Sequence, residues 1–241
     1  MTKKRKFNKK IGIFGGAGPW ASAHAVLSMI QQAQWDYNAV EDDEYPELVL
    51  RSIPLEGFGA RGVENEELVK NQLFRHFNRF TEDKIDIVVI ACNSLYKYYD
   101  TLQKMYPNMQ IVHLPLQGAE AIQKQGYKKV GILCSESSLD DQLHRIALDK
   151  KGITPIVPTA DQQKRINTLI RRVMGGNSGA SEAQEFRKLS REFEAQGAQA
   201  LLSGCTELSY LSHKFQSNIP VVDCLYTSLA KALQLASSGP E

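Results

Sequence analysis

Val89-Ile90-Ala91-Cys92-Asn93-Ser94-Leu95 and Leu202-Ser203-Gly204-Cys205-Thr206-Glu207-Leu208 carry one pattern written twice. Each is a short apolar run that ends in a small residue, followed by a cysteine, two polar residues and a leucine. The offset from Cys92 to Cys205 is 113 residues. A second pair lies upstream: Lys9-Lys10-Ile11-Gly12-Ile13 is echoed by Lys128-Lys129-Val130-Gly131-Ile132, and Lys10 to Lys129 is an offset of 119. Two similar offsets of this size point to two homologous halves rather than to a solenoid.

The intervening chain alternates short β-branched runs with longer amphipathic stretches. Strands are expected near 10–14, 48–53, 85–91, 110–114, 129–133, 153–157, 200–203 and 219–222. The clearest helix runs from Glu64 to Phe80, with Val69, Leu73, Phe77 and Phe80 on one face. Strand-helix alternation predicts an α/β fold of mainly parallel sheets with helices on both sides, and the repeat predicts two such halves. Ligands of such sheets bind beyond the carboxyl ends of the strands. Gly15-Gly16-Ala17-Gly18, Cys92-Asn93-Ser94, Cys134-Ser135 and Cys205-Thr206 all fall there.

Composition narrows the chemistry. The chain has 241 residues, is 42% apolar and 23% charged, and has ordinary globular character. No apolar run approaches a membrane span, and the opening MTKKRKFNKK has no apolar signal core, so a cytoplasmic protein is expected. Six of the first ten residues are basic against a net charge of +2, which leaves an acidic body with no basic stripe. The basic start reads as a solvated terminus, and neither nucleic acid nor membrane is an expected partner.

The cysteines (Cys92, Cys134, Cys205 and Cys224) form no CxxC pair or Cys/His cluster, and the five histidines have no metal spacing. No metal site is expected, and in a cytosolic chain each thiol is core filler or chemistry. Cys134 and Cys224 read as packing, as does the Tyr96-Tyr98-Tyr99 cluster; His144 is the one histidine expected near the cleft. Cys92 and Cys205 each sit between a strand end and a helix start, where a helix N-terminus favors thiolate. Asn93, Ser94 and Thr206 are the adjacent hydrogen-bonding groups. Gly16-Ala17-Gly18-Pro19-Trp20-Ala21 fits GxGxxA, but the second strand ends in Arg51-Ser52-Ile53-Pro54, without the acid a dinucleotide site wants. A turn that offers N–H groups to a small carboxylate suits it better.

At these residues the chain resembles the aspartate/glutamate racemase superfamily, in its aspartate-racemase-like branch of broad amino-acid racemases. Phe14-Gly15-Gly16-Ala17-Gly18-Pro19 is similar to that branch's GGMGP, Ala91-Cys92-Asn93-Ser94-Leu95-Tyr96 to its PCNTAH, and Gly204-Cys205-Thr206-Glu207-Leu208 to its GCTEL. The resemblance implies two pseudosymmetric three-layer α/β domains with the active site in the cleft between them, residues 1–108 plus 214–241 forming the first half, with Cys92, and residues 109–213 the second, with Cys205. It also implies a homodimeric isomerase that needs no pyridoxal phosphate or other cofactor and takes a small-molecule amino acid. It implies Cys92 and Cys205 as alternating bases, one removing the α-proton while the other returns a proton to the opposite face. Gly16, Ala17, Asn93, Ser94, Ser135, Ser138, Thr206 and Glu207 would bind substrate. Departures concern the side chain: Tyr96 replaces a histidine, serines replace threonines at Ser94, Ser135 and Ser138, and Pro54-Leu55-Glu56 replaces an expected Pro-Asp-Arg. Arg61, Lys164 or Arg165 would have to supply a cation for an acidic substrate, so a neutral or basic amino acid is expected, with Glu56 a partner for a basic tail. A two-cysteine maleate-type isomerase and an inactive amino-acid-binding relative are the alternatives.

Overall fold

The computed structural model describes residues 6–59 and 62–237. The chain opens with β1 (Ile11–Gly15), α1 (Pro19–Tyr37) and β2 (Leu48–Ser52). A hairpin of β3 (Phe58–Gly59) and β4 (Gly62–Val63) and then α2 (Glu66–Glu82) lead to β5 (Ile87–Ile90). A 3-10 turn at Asn93–Tyr98, α3 (Tyr99–Met105), β6 (Gln110–Val112) and α4 (Leu114–Gln125) follow. The second lobe begins with β7 (Lys129–Leu133), α5 (Glu136–Asp140), α6 (Leu143–Asp149) and β8 (Thr154–Ile156). It continues through α7 (Ala160–Met174), α8 (Ala180–Ala195), β9 (Ala200–Ser203), α9 (Thr206–Lys214), β10 (Val221–Asp223) and α10 (Cys224–Ala236).

Each expected strand is present, and they form two four-stranded parallel sheets ordered β2-β1-β5-β6 and β10-β9-β7-β8. Reading the second sheet from its other end, β8-β7-β9-β10, gives the order of the first. The register repeats as well: Ile11 lies opposite Ile87, and Val130, its counterpart at the upstream offset, lies opposite Ala200, the counterpart of Ile87. The expected boundary at 108/109 needs correction on strand membership. β6 pairs with β5 in the first sheet and β10 with β9 in the second, because each completes the edge of its own half. The C-terminal return is carried by α10 alone, which packs on α1, α4 and β5.

β1 and β5 are buried along their whole length, as parallel strands covered on both faces must be. α2 buries Val69, Leu73, Phe77 and Phe80 completely, the face expected from its periodicity, and the Asn65 side chain caps its start at Leu68 N–H, 3.0 Å. One apolar cluster runs through both sheets, from Ile11 and Ile87 to Ile132 and Leu202; a smaller one lies under α7, α8 and α9. The hairpin was not expected, since two-residue strands carry no readable period.

The repeat extends to packing. Gly12 faces the Phe80 ring, and a Cβ there would stand 3.0 Å from it; Gly131 faces Phe193, where the distance would be 2.5 Å. Phe80 and Phe193 are themselves related by the cysteine offset, and both are fully buried. Each half thus needs glycine in its first strand so that the helix before its central strand can lie flat on the sheet. Gly131→Ala is expected to destabilize the fold by about 1–3 kcal/mol through overpacking, read as a lower urea midpoint at unchanged slope. A variant as stable as the parent would show that Phe193 repacks freely and that the contact is not a constraint.

Candidate active site

Backbone hydrogen bonds bring the two cysteines to equivalent places. Ala91 N–H donates to the Phe14 carbonyl at 2.8 Å, and Gly204 N–H donates to the Leu133 carbonyl at 2.8 Å. The next residue in each half is the cysteine, in extended backbone, with φ −158° at Cys92 and −134° at Cys205. Each starts a helical turn, its carbonyl accepting from Leu95 N–H at 3.3 Å or Leu208 N–H at 3.0 Å. Both line one cavity of about 170 Å³, together with Gly16, Ala17, Asn93, Ser94, Ser135, Ser138, Thr206 and Glu207. The structure therefore gathers both cysteines and the eight described residues that the resemblance names for substrate binding. Arg61 lies outside the described residues.

The lobes interlock at the cavity. Ser94 of the first lobe meets three serines of the second: its Oγ lies 3.1 Å from Ser135 Oγ, 3.0 Å from Ser137 Oγ and 2.9 Å from Ser138 Oγ. Ser137 went unread in the sequence, though the Ser135-Glu136-Ser137-Ser138 run after a strand was a visible signal. On the other side Glu207, the counterpart of Ser94 in the repeat, reaches the glycine turn of the first lobe. A Cβ on Gly18 would stand 2.1 Å from Glu207 Oε1, and Gly18 has φ +92°. Glycine is thus required there twice, by backbone conformation and by the carboxylate. The turn is tied by Ser22, whose Oγ accepts from Gly16 N–H at 2.9 Å and donates to Gly18 O at 2.9 Å. With a carboxylate already against the start of α1, this turn is not built to receive a pyrophosphate.

Cys205 Sγ donates to Glu207 Oε2 at 3.1 Å, and Thr206 Oγ1 donates to the same oxygen at 3.3 Å. Burial raises the Glu207 carboxyl above its ordinary range, against the pull of these donors. Burial, reinforced by Glu207, pushes the Cys92 thiol up to about 12 and the Cys205 thiol well above its ordinary value. The sequence suggested lowered thiols at helix starts. The N–H groups there do favor thiolate, but desolvation is the larger effect. Asn93 is almost fully buried on the cavity wall, and neither its Oδ1 nor its Nδ2 has a protein partner. Both ends of this amide are thus free to hydrogen-bond within the cavity.

The wall also includes Leu55, Phe58, Ile170 and Met174, with Gly59 and Gly62 of the β3–β4 hairpin. These were not read from the sequence, because their contribution depends on α7 and the hairpin folding over the strand ends. Glu56 is exposed and off the wall, and only its backbone is held, by Gln72. The expected pairing of Glu56 with a basic substrate tail is thus corrected. Lys164 is exposed beside a separate surface groove, and Arg165 is bound to Asp161, Glu185 and Glu192. Neither reaches the cavity.

Cys134 and Cys224 are free, fully buried and off the wall. Tyr96 is a structural group: its hydroxyl donates to Val112 O at 2.7 Å and accepts from Ile90 N–H at 3.2 Å, stitching β5 to β6. His144 lies beneath the Cys205 turn, its Nε2–H donating to Gly204 O at 2.9 Å, and burial lowers its pKa to about 4. Lys6, from the basic start, donates to Tyr37 O and Asn38 O at the end of α1; residues 1–5 lie outside the described structure. Among the described residues no group of three or more His, Cys, Asp or Glu is arranged to hold a metal, and no helix is long and apolar enough to cross a membrane.

Comparison with known proteins agrees with this geometry. The chain is 24% identical over 213 residues to the broad specificity amino-acid racemase RacX of Bacillus subtilis (strain 168), covering 88% of this chain and 92% of that protein. An aspartate racemase homologue from Pyrococcus horikoshii OT3 superposes with a TM-score of 0.78 at 25% identity, over 95% of this chain and 99% of that one. Glutamate racemase from Francisella tularensis, solved with D-glutamate, shares the fold with a TM-score of 0.65 at 15% identity, over 95% of this chain and 81% of that one. The sequence profile of Asp/Glu/hydantoin racemases matches residues 15–232, and the chain belongs to that family.

Proposed function

We propose that the protein is an amino-acid racemase that interconverts L- and D-enantiomers by two-base proton transfer at the α-carbon, with Cys92 and Cys205 as the bases. The observation that carries this reading is the placement of two thiols at equivalent positions of a duplicated fold, both on the wall of one cavity. A thiolate on one face takes the α-proton, and a thiol on the other returns one to the carbanion. The carbanion's charge spreads into the α-carboxylate, so donors around that group stabilize the transition state. The hydroxyls of Ser94, Ser135, Ser137 and Ser138 and the unpartnered amide of Asn93 suit this role, and the Gly16–Gly18 turn contributes backbone. No group beyond the chain itself enters this scheme. A cytoplasmic homodimer, expected from the resemblance, belongs to the same proposal.

For the substrate we propose a neutral amino acid with an apolar side chain. Among the described residues, Leu55, Phe58, Ile170 and Met174 form an apolar part of the wall, and no Lys or Arg lines the cavity. Moving a second carboxylate or an ammonium group onto such a surface without a partner is costly. An isomerase for a diacid would face that cost in the ground state.

Three measurements test this reading. Incorporation of deuterium at Cα from heavy water, followed by mass spectrometry over the common amino acids, should occur with both enantiomers of at least one. Cys92→Ala and Cys205→Ala should each lower racemization at least about a hundredfold with the fold retained; racemization at the parent rate by either variant rules out the two-base scheme. In steady-state comparisons, kcat/KM for methionine, leucine or alanine should exceed that for aspartate, glutamate and lysine by about tenfold or more. Aspartate as the best substrate would overturn the apolar assignment and make Arg61 the residue to mutate next.

A further inference from the structure

Glu207 is the one formally charged side chain on the described cavity wall, and the racemase scheme above leaves it without work. Its carboxylate accepts from Cys205 Sγ at 3.1 Å, while at the equivalent place in the first lobe Ser94 is held by serine hydroxyls. The two thiols are therefore not alike. We infer that Glu207 is the proton partner of Cys205, taking the thiol proton when Cys205 acts as base, so that the site rests with one negative charge on the Cys205–Glu207 pair and a neutral thiol at Cys92. This rests on the racemase reading and gives each cysteine its starting role.

The physical case begins with charge. A buried thiolate formed by losing its proton to water adds a desolvated charge, and burial makes both thiols resist this. Passing the Cys205 proton to Glu207 creates no additional charge, because it moves the existing one from oxygen to sulfur over 3.1 Å. Burial raises the carboxyl as it raises the thiol, so neither group favors an added charge and the one charge stays within the pair. A Cys92 thiolate would lie close to the same carboxylate, which raises its cost and keeps Cys92 in the acid form.

The step balances as follows. The S–H bond of Cys205 breaks as the O–H bond of Glu207 forms. Cys205 sulfur then takes the α-hydrogen as a proton, and the electron pair of the Cα–H bond stays on the substrate. The S–H bond of Cys92 breaks as its proton goes to the opposite face of Cα, where that pair forms the new bond. Cys92 ends as thiolate, Cys205 as thiol and Glu207 as carboxylic acid. Return of the Glu207 proton to Cys92 through the opened cavity resets the site.

Among the described residues, the titratable groups facing the pair are Cys92, on the same cavity wall, and His144, behind the Gly204 carbonyl, lowered to about 4 and so uncharged near neutrality. The test reads the thiols without a substrate. Iodoacetamide alkylation is followed peptide by peptide in the parent, Glu207→Gln and Glu207→Asp, with the fully buried Cys134 and Cys224 as controls for an intact fold. In the parent the Cys205 rate should be nearly flat between about pH 6 and 9, because the carboxylate removes the proton during attack. In Glu207→Gln it should fall at least about tenfold near pH 6.5 and rise about tenfold per pH unit, following the free thiolate. Glu207→Asp should restore part of the plateau, and α-proton exchange should fall about a hundredfold in Glu207→Gln. Equal pH slopes at Cys205 in parent and Glu207→Gln would overturn the inference. So would a Glu207→Gln enzyme with raised KM and unchanged kcat, which would make Glu207 a binder of the substrate ammonium. If the alkylation signature holds but the parent exchanges no α-proton in any amino acid, the thiol–carboxylate pair stands and the racemase reading falls.

Discussion

The site depends on a pair of backbone hydrogen bonds, Ala91 N–H to Phe14 O and Gly204 N–H to Leu133 O, each 2.8 Å. They extend the parallel pairing of β1 with β5 and of β7 with β9 one residue past the strands. Each cysteine therefore leaves its sheet at a fixed height and direction. The glycine–phenylalanine contacts at Gly12 and Gly131 serve the same end from below, seating Phe80 of α2 and Phe193 of α8 against the first strand of each sheet. Sheet order, register, strand-end hydrogen bonds and helix packing repeat together, so the equivalence of Cys92 and Cys205 belongs to the whole scaffold.

Symmetry stops at the cavity wall, where function needs difference. The residue two past each cysteine crosses to the opposite lobe, Ser94 to a cluster of hydroxyls and Glu207 to a turn of glycines. One side of the cavity is rich in neutral donors, and the other holds a carboxylate beside a thiol. Hydroxyls suit a bound carboxylate because they donate without adding charge. A second fixed anion among them would repel it. Under the proposed reaction, this division separates the group that stabilizes the carbanion from the group that manages the proton.

Much of this was legible in the sequence because it is local. Strand runs, the α2 face and the Cys-polar-polar-Leu repeat each occupy fewer than about twenty residues and carry their own period. The polar half of the site was legible for the same reason, since strand ends in parallel sheets converge. The apolar half was not. Ile170 and Met174 stand at the end of a helix whose buried face reads as ordinary core, and Phe58 belongs to a hairpin too short to show alternation. Electrostatics misled in a related way: a helix start argues for thiolate, but the burial that overrides it comes from both lobes closing on the residue. The strand-to-lobe boundary failed at β6 and β10 because an edge strand looks alike in either sheet until its partner is known.

A catalyst that treats mirror images alike faces a geometric demand that a single half could not meet. Inverting Cα leaves three substituents nearly in place, while the hydrogen on one face of their plane is removed by one base and a different proton is added to the opposite face by the other. Two halves related by pseudosymmetry place matched thiols on one cavity, while the amide and hydroxyls on its wall belong to both lobes. The substrate side chain must then lie where neither thiol approaches, against a surface that accepts it from either hand. An apolar wall does this better than directed hydrogen bonds, because dispersion and desolvation depend weakly on orientation. The lack of charge on Leu55, Phe58, Ile170 and Met174 thus fits the proposed reaction as well as the proposed substrate.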